Sequence, residues 1–183
     1  MKTLILNGAP EPDGSGLDRW VARYQERLAE TEGQVETVAL RDLGLKTCTG
    51  CWSCWWATPG NCVLKDGMQD LYPRIMNAER IVWAVPLVLG AQNALVKRAQ
   101  DRMVPLIHPY IELVGGECHH RRRYRNYPVH ALIVEAAEDD SPEDLSLVRS
   151  LFERFTLNFR AKLVYFTTAG KDPKEAADET LSA

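Results

Sequence analysis

Short apolar segments alternate with helical patterns along the chain, and this alternation limits the possible folds more than any other feature. The apolar segments, interpreted as strands, occupy residues 3–6, 35–40, 81–85, 129–134 and 162–168. Apolar residues at helical spacing predict helices that begin near residues 17, 66, 91 and 141. Apolar strands separated by helices are typical of a parallel sheet that is covered by helices on both faces.

The same pattern sets several local expectations. Pro86 is expected to end the third strand, and the next helix should run from about Ala91 to about Val104. Ser141 begins a further helix, and the residues after Gly170 are predicted to form a polar tail. The helix after Ser141 is expected to bury Leu145, Val148, Leu151, Phe152 and Phe155.

Right-handed crossovers between five such strands predict a flavodoxin-like, doubly wound parallel sheet with the strand order 2-1-3-4-5. We expect one domain over residues 1–183, with a cysteine-rich loop at 47–66 and a long connection at 106–128. In open sheets of this kind, ligands bind beyond the carboxyl ends of the strands, where the winding direction reverses. The loops after the first three strands should therefore share one crevice.

Composition argues against several classes of function. The formal net charge of −3 argues against nucleic acid as a partner, because phosphate binding needs a basic surface. The longest uncharged stretch, residues 81–96, is interrupted by proline, glycine and amide side chains and is shorter than the roughly 20 apolar residues of a membrane span. The first residues do not resemble a signal peptide, so we expect a cytoplasmic protein in a reducing environment.

A glycine-rich loop follows the first strand and precedes the first helix. Backbone N–H groups in such a turn, near the positive end of a helix, form an anion site that suits a phosphate. A simple connecting loop is the alternative, because short glycine-rich turns are common between strands and helices. The candidate phosphate-binding residues are Gly8, Ala9, Pro10, Gly14, Ser15, Gly16 and Leu17.

An apolar loop follows the third strand at the same predicted edge of the sheet. It can cover a flat aromatic ring by packing and can offer backbone donors to the polar rim of that ring. Core filling between strand and helix is the alternative, and periodicity alone does not separate the two. The residues concerned are Pro86, Leu87, Val88, Leu89 and Gly90.

Four of the five cysteines lie between residues 48 and 62, in the loop predicted after the second strand. Cys48, Cys51 and Cys54 have the Cys-x2-Cys-x2-Cys spacing of bacterial iron–sulfur runs, and Cys62 follows a Pro-Gly turn. A structural zinc site usually has two separated cysteine pairs, so the spacing favours iron–sulfur over zinc. Idle or redox-active thiols are the other alternative.

Two further clusters have both structural and functional interpretations. Trp52, Trp55 and Trp56 could shield a cluster from water, form an oligomer interface or fill the local core. The basic segment 119–125 is either a solvated loop or a binding site for an anion such as the phosphates of a pyridine nucleotide.

Several of these stretches together resemble the flavodoxin-fold NAD(P)H-dependent FMN reductases, and most closely the branch that includes the iron–sulfur flavoproteins. The segments are ILNGAPEPDGSG (5–16), CTGCWSCWWATPGNCVLKDGM (48–68) and IVWAVPLVLGAQNALVKRAQDR (81–102). HHRRRYRNYP (119–128) and ERFTLNF (153–159) are also similar to that branch. The chain differs from the family's common pattern in both loops: Ala9 replaces a Ser, Glu11 a basic residue, Gly16-Leu17 a Thr or Asn, and Val88 an aromatic residue.

The resemblance implies FMN at the reversal of the sheet winding, with its phosphate on residues 8–17 and its isoalloxazine ring against residues 86–91. It also implies that Cys48, Cys51, Cys54 and Cys62 hold a 4Fe–4S cluster. Lys97 and the Asp101–Arg102 pair match structural or interface positions of the family. Members form homodimers or homotetramers that complete the flavin sites.

The function predicted from these features is that of a flavoprotein oxidoreductase that uses NAD(P)H and FMN. It would pass electrons to a small-molecule or protein acceptor, or to a 4Fe–4S cluster. No acid–base pair or Ser/His/Asp set is apparent, as expected where the cofactor performs the chemistry. The alternative is a catalytically degenerate flavodoxin-like protein that senses redox state or binds a partner.

Overall fold

A computed structural model describes residues 1–12 and 16–183, and a parallel sheet lies at its centre. The strands are β1 (Lys2–Asn7), β2 (Gln34–Ala39), β3 (Arg80–Val88), β4 (Ala91–Gln92), β5 (Ile107–Val114), β6 (Glu117–Arg122), β7 (Val129–Glu135) and β8 (Leu163–Thr168). The parallel strands have the order β2-β1-β3-β7-β8. This is the predicted flavodoxin-like 2-1-3-4-5 order.

Helices cover both faces of the sheet, because alternate strand residues point to opposite sides. Ile5 packs with α1 and α6, whereas Leu4 and Leu6 pack in the cluster that contains α3, α4 and α5. The helices are α1 (Leu17–Ala29), α2 (Ser53–Trp56), α3 (Met68–Asn77), α4 (Ala94–Asp101), α5 (Pro142–Leu157) and α6 (Pro173–Ser182). Within the described ranges, no helix has the length and apolar character to cross a membrane.

The third strand does not end at Pro86, as the sequence predicted, but continues to Val88. Pro86 lies opposite Glu135 of β7, and its carbonyl accepts a hydrogen bond of 3.2 Å from the backbone N–H of Asn93. The following helix begins later than predicted, at Ala94, because Asn93 caps it through a 3.0 Å bond from the Val96 N–H to Oδ1. A strand can therefore continue through a proline at a position where no backbone N–H is needed for a hydrogen bond to a neighbouring strand.

The predicted connection at 106–128 contains a β-hairpin of β5 and β6. Gly115 and Gly116 join the two strands with φ values of 59° and 87°. Hairpin turns favour glycine at such left-handed positions. The Gly-Gly pair was therefore a local signal for this hairpin.

Two further expectations about the carboxyl-terminal third were wrong. The residues after Gly170 include α6, which Asp172 caps by accepting from the N–H of Lys174 at 2.9 Å. The helix is stabilised by packing of its small residues against α1. In α5, Val148 and Phe152 are buried as predicted, but Leu151 is 54% exposed.

Candidate functional site

The loop after β1 contacts β3 and α4 closely, and Gly8 is the point of contact. Its N–H donates to the carbonyl of Ala84 at 2.8 Å. A Cβ at position 8 would lie 2.4 Å from Cγ2 of Val96 and 2.9 Å from the Ala84 carbonyl oxygen. Only glycine therefore fits where the carboxyl end of β1 lies beside β3.

Asn93 connects the loop after β1 with the end of β3. Its Nδ2 donates to the carbonyl of Gly8 at 2.7 Å, and its backbone N–H donates to the carbonyl of Pro86 at 3.2 Å. The side chain is buried, so both bonds are shielded from water. Asn93 thus holds the two candidate flavin-binding loops together, a role that sequence reasoning did not identify.

Two arginines lie beside the candidate phosphate loop. Nη1 of Arg41, which follows β2, donates to the carbonyl of Ala9 at 3.2 Å and to Oδ1 of Asp18 at 3.0 Å. Nη2 of Arg19 lies 3.7 Å from the position that a Cβ on Gly16 would occupy. Asp18 offsets part of the charge of Arg41, but both guanidinium groups bring donors that suit a phosphate to a loop in which Glu11 replaces the family's basic residue.

The other predicted residues of this loop have different environments. Ala9 and Leu17 are buried, and Pro10 is exposed. Gly16 has a φ of 86° and precedes the first turn of α1, where a side chain would be strained. The predicted residues Gly14 and Ser15 lie outside the described part of the chain.

The segment predicted to cover a ring, residues 86–90, spans the end of β3 and the turn that follows, and it is divided between the core and the surface. Pro86 and Leu87 are buried, whereas Val88 is 57% and Leu89 is 94% exposed. The first two residues therefore fill the core, and the next two present an apolar surface that fits a flat ring. The N–H of Gly90 donates to Oδ1 of Asp140 at 3.1 Å, so this backbone donor is used within the protein.

The cysteine-rich loop turns sharply at left-handed residues. Gly50 and Trp52 have φ values of 65° and 58°, and the one-turn helix α2 follows directly. Gly60, with a φ of 86°, donates from its N–H to the carbonyl of Cys54 at 3.2 Å. These turns fold the segment back on itself, so that Cys54 is half-buried and Cys62 is buried, while Cys48 and Cys51 are exposed.

The four thiols of this loop are free and influence one another electrostatically. Burial raises the pKa of the Cys54 thiol, and the negative charges of Cys62, Cys48 and Cys51 raise it further. Hydrogen bonds from Ser53 and Thr49 lower the pKa of Cys51. In the described ranges, no three His, Cys, Asp or Glu side chains converge on a site for a single metal ion. Cysteine thiolates are the usual ligands of a cubane cluster, which holds its ligands farther apart than a single ion does.

A buried arginine joins the two ends of the cysteine-rich loop. Nη1 of Arg102 donates to the carbonyl of Lys46 at 2.8 Å and to Oδ2 of Asp66 at 2.7 Å, and Nη2 donates to Oδ1 of Asp66 at 3.1 Å. The Arg102 and Asp66 side chains are 0% and 4% exposed. Burial opposes ionisation of Asp66, but the hydrogen bonds from Arg102 and from backbone N–H groups outweigh it and lower its pKa.

Two neighbouring polar side chains hold the stem of the same loop. Nε2 of Gln69 donates to the carbonyls of Cys62 at 3.1 Å and Leu64 at 2.5 Å. Nη1 of Arg98, on α4, donates to the carbonyl of Leu45 at 3.0 Å. Sequence reasoning missed these contacts, because each joins positions that are distant or irregularly spaced along the chain.

The basic segment on β6 is largely bonded within the protein. Arg121 pairs with Glu112, Arg122 donates to the carbonyl of Arg160, and Arg123 donates to the carbonyl of Ile107. These bonds attach the hairpin to the rest of the fold. The geometry supports a structural role for this segment over a phosphate site.

The tryptophans of the cysteine-rich loop have two roles. Trp52 and Trp55 stack with ring centroids 4.7 Å apart, and Nε1 of Trp55 donates to the carbonyl of Ile107 at 3.1 Å. This pair packs the loop against the start of the hairpin. Trp56 is 73% exposed, so most of its ring lies on the protein surface.

The fold defines a flavodoxin-like protein, and its candidate cofactor-binding loops lie at the carboxyl edge of the sheet. Residues 1–155 match the family model of the NADPH-dependent FMN reductases. The chain therefore belongs to the NADPH-dependent FMN reductase family. Membership confirms the predicted family.

Among curated proteins, the chain is similar to archaeal iron–sulfur flavoproteins. It is 28% identical over 106 residues to one from Methanocaldococcus jannaschii, covering 58% of this chain and 53% of the relative. It is 29% identical over 108 residues to one from Archaeoglobus fulgidus, covering 59% and 48%. The chain thus spans about half the length of the curated relatives it matches.

Solved structures show the same fold at low sequence identity. An azoreductase from Bacillus anthracis aligns with a TM-score of 0.71 at 12% identity, over 100% of both chains. An NAD(P)H:quinone oxidoreductase from Methanothermobacter marburgensis aligns with a TM-score of 0.64 at 16% identity, over 100% of this chain and 96% of that one. These similarities confirm the predicted fold class.

Proposed function

We propose that this chain binds FMN at the carboxyl edge of its sheet and catalyses the oxidation of NAD(P)H through that flavin. The main support is the contact of Asn93 with both the loop after β1 and the end of β3. This contact holds the candidate phosphate loop beside the strand end that carries the apolar residues Val88 and Leu89. Family membership supports the choice of FMN for that space.

In this proposal, the residues of the chain bind and orient the cofactor. Arg41 and Arg19 offset the charge of the phosphate, and Val88 and Leu89 cover one face of the ring. Bound FMN supplies the redox chemistry, since a flavin accepts electrons in pairs and can release them singly. Partners would be NAD(P)H and a small-molecule or protein electron acceptor.

Purified protein should quench the fluorescence of added FMN, and NAD(P)H should bleach the yellow complex under anaerobic conditions. Replacing Arg41 with Gln should weaken FMN binding by about tenfold, the effect of losing one charge-assisted hydrogen bond. A fluorescence titration measures this change. Arg74→Gln is a matched control, because Arg74 pairs with Glu36 on the surface, in the last turn of α3.

Protein that does not quench FMN at any concentration would contradict the proposal. Equal FMN affinity of the Arg41 and Arg74 variants would contradict the role of Arg41. Reversible loss of free thiols on mild oxidation, without flavin binding, would instead favour a redox-sensing function.

We further propose that Cys48, Cys51, Cys54 and Cys62 bind a 4Fe–4S cluster in the loop after β2. The Cys-x2-Cys-x2-Cys spacing and the shared electrostatic environment of the four thiols support this ligand set. The iron–sulfur flavoproteins among the relatives also support it.

A cytoplasmic location and assembly into a homodimer or homotetramer remain predictions. The exposed side chains of Leu89 and Trp56 are candidates for the interface between subunits.

Anaerobically purified protein should then contain about four irons per chain, the content of one 4Fe–4S cluster. Cys51→Ser should remove most of this iron, because it removes a direct ligand in the middle of the run. Cys118→Ser, in the hairpin, should leave the iron unchanged. Iron analysis and the visible absorbance of both variants test the prediction, and anaerobic protein without iron would contradict it.

A further inference from the structure

A cavity of about 520 Å³ lies between the cysteine-rich loop, α4, the β5–β6 hairpin and α5. None of the candidate flavin-binding residues lines it, and none of the four loop cysteines does so. The space is therefore distinct from both cofactor sites proposed above. Its volume is within the range of small-molecule sites in proteins.

Aromatic side chains form two walls of this cavity. Trp52 and Trp55 stack on one side, and the rings of Phe155 and Phe159 lie 5.2 Å apart on another. The orientation of Trp55 is fixed by the bond from its Nε1 to the carbonyl of Ile107. Rigid aromatic walls favour a planar aromatic ring, which can stack against them or contact them edge to face.

The polar part of the lining contains two cationic side chains, both of which already have an acidic partner. Lys97 pairs with Asp101, and Arg154 pairs with Glu117, so the donors left for an anion are the unused N–H groups of Arg154. Arg154 binds both oxygens of Glu117 through Nη1 alone, at 3.1 and 2.9 Å. Its Nε and Nη2 make no hydrogen bond to any residue in the described ranges, so they remain available to a carboxylate.

Gln100 adds a second polar group to the same lining. Its Oε1 accepts from Nε2 of Gln92 at 2.7 Å, and its own Nε2 is buried without a partner among the described residues. Buried amide groups normally have hydrogen-bond partners. Because Gln100 lines the cavity, this N–H is a candidate donor to a ligand oxygen.

We propose that this cavity is a binding site for a planar aromatic carboxylate. The ring would lie between the tryptophan and phenylalanine walls, and the carboxylate would bind Arg154 at the rim. Because Trp52 lies between Cys51 and Cys54, a bound molecule would contact the cysteine-rich loop directly. The site does not depend on the flavin, so its test is independent of the proposed function.

Calorimetric titration of the full chain with 2-naphthoate tests the proposal, with uncharged 2-naphthamide as the comparison ligand. We expect saturable binding of one 2-naphthoate per chain and weaker binding of the amide. Arg154→Gln should weaken the binding of 2-naphthoate by about tenfold, since the lost hydrogen bonds are charge-assisted, and should change the binding of the amide little. Arg149→Gln, on the same helix and in a surface pair with Glu153, should change neither affinity.

A second pair of variants tests the apolar wall without disturbing the core. Leu151 and Leu147 lie one turn apart on α5 and are 54% and 56% exposed, but only Leu151 lines the cavity. Leu151→Asp should weaken the binding of 2-naphthoate by at least about tenfold through charge repulsion and desolvation. Leu147→Asp should bind 2-naphthoate with the same affinity as the unmodified chain.

Three results would overturn the proposal. The first is an absence of saturable binding, and the second is equal affinity of the Leu151 and Leu147 variants. The third is dissociation of an oligomer by Leu151→Asp in sedimentation velocity, with no 2-naphthoate bound to the unmodified chain. That result would make the cavity part of an interface between copies of this chain.

Discussion

Replacing Arg102 with Met should lower the free energy of unfolding by about 3 to 5 kcal/mol, because it leaves the buried Asp66 carboxylate without its counter-charge. The two side chains are almost completely buried, and Arg102 also binds the carbonyl of Lys46. Urea unfolding measures the change. Lys97→Met is the matched control, on the helix α4 that ends directly before Arg102: its pair with Asp101 is exposed, so the expected effect is within about 0.5 kcal/mol.

A double variant separates the lost ion pair from the lost packing. Asp66→Asn combined with Arg102→Met removes both charges, so it should be more stable than Arg102→Met alone. Equal effects of Arg102→Met and Lys97→Met would contradict the role of this pair, as would a double variant no more stable than Arg102→Met.

Arg102 also links the stability of the fold to the geometry of the cysteine-rich loop. The residues it binds, Lys46 and Asp66, lie on either side of the four cysteines. Gln69 holds the Cys62 carbonyl from the adjacent helix. The exposed part of the loop can therefore vary while its two ends stay fixed, as is required of a loop that binds a cofactor on a rigid fold.

The sheet could be predicted from sequence because its signal is local. Each strand is a short apolar run, and the crossover rule leaves few topologies for five of them. The hairpin was missed because β6 is almost entirely polar and β5 contains a proline and no continuous apolar run. The last helix was missed because its face consists of small residues such as Ala176 and Ala177, which give little periodic signal.

The candidate site was predictable in its loops but not in its supporting contacts. Glycine spacing identified Gly8, and an apolar run after a strand identified Val88 and Leu89. Arg41 and Asn93 are separated from Gly8 by more than thirty positions, so only the folded chain brings them together. Contacts between residues so far apart in the sequence depend on sheet order and register, which a single sequence specifies only indirectly.

A buried histidine should make the stability of this protein strongly dependent on pH. His130 is 1% exposed, and its Nδ1 accepts a 3.0 Å hydrogen bond from Nε1 of Trp83. Burial lowers the pKa of His130 from 6.5 to about 3. The unfolded chain therefore takes up a proton below about pH 6.5 that the folded chain does not, and stability falls as the pH decreases from that value toward 3.

His130→Asn should remove this part of the pH dependence, because the Asn Oδ1 can accept from Trp83 but the side chain does not titrate. The variant should be less stable at pH 7, since it loses contact with Phe155 and Phe159. Between pH 7 and 5, however, its free energy of unfolding should fall by about 2 kcal/mol less than that of the unmodified chain. The titration of His130 accounts for about 1.4 kcal/mol per pH unit below 6.5. Urea unfolding at the two pH values measures this difference, in which the contribution of the carboxylates cancels.

His108→Asn, near the surface of the hairpin, should retain most of the original pH dependence. Parallel pH profiles for His130→Asn and the unmodified chain would show that His130 does not titrate between the two states as proposed.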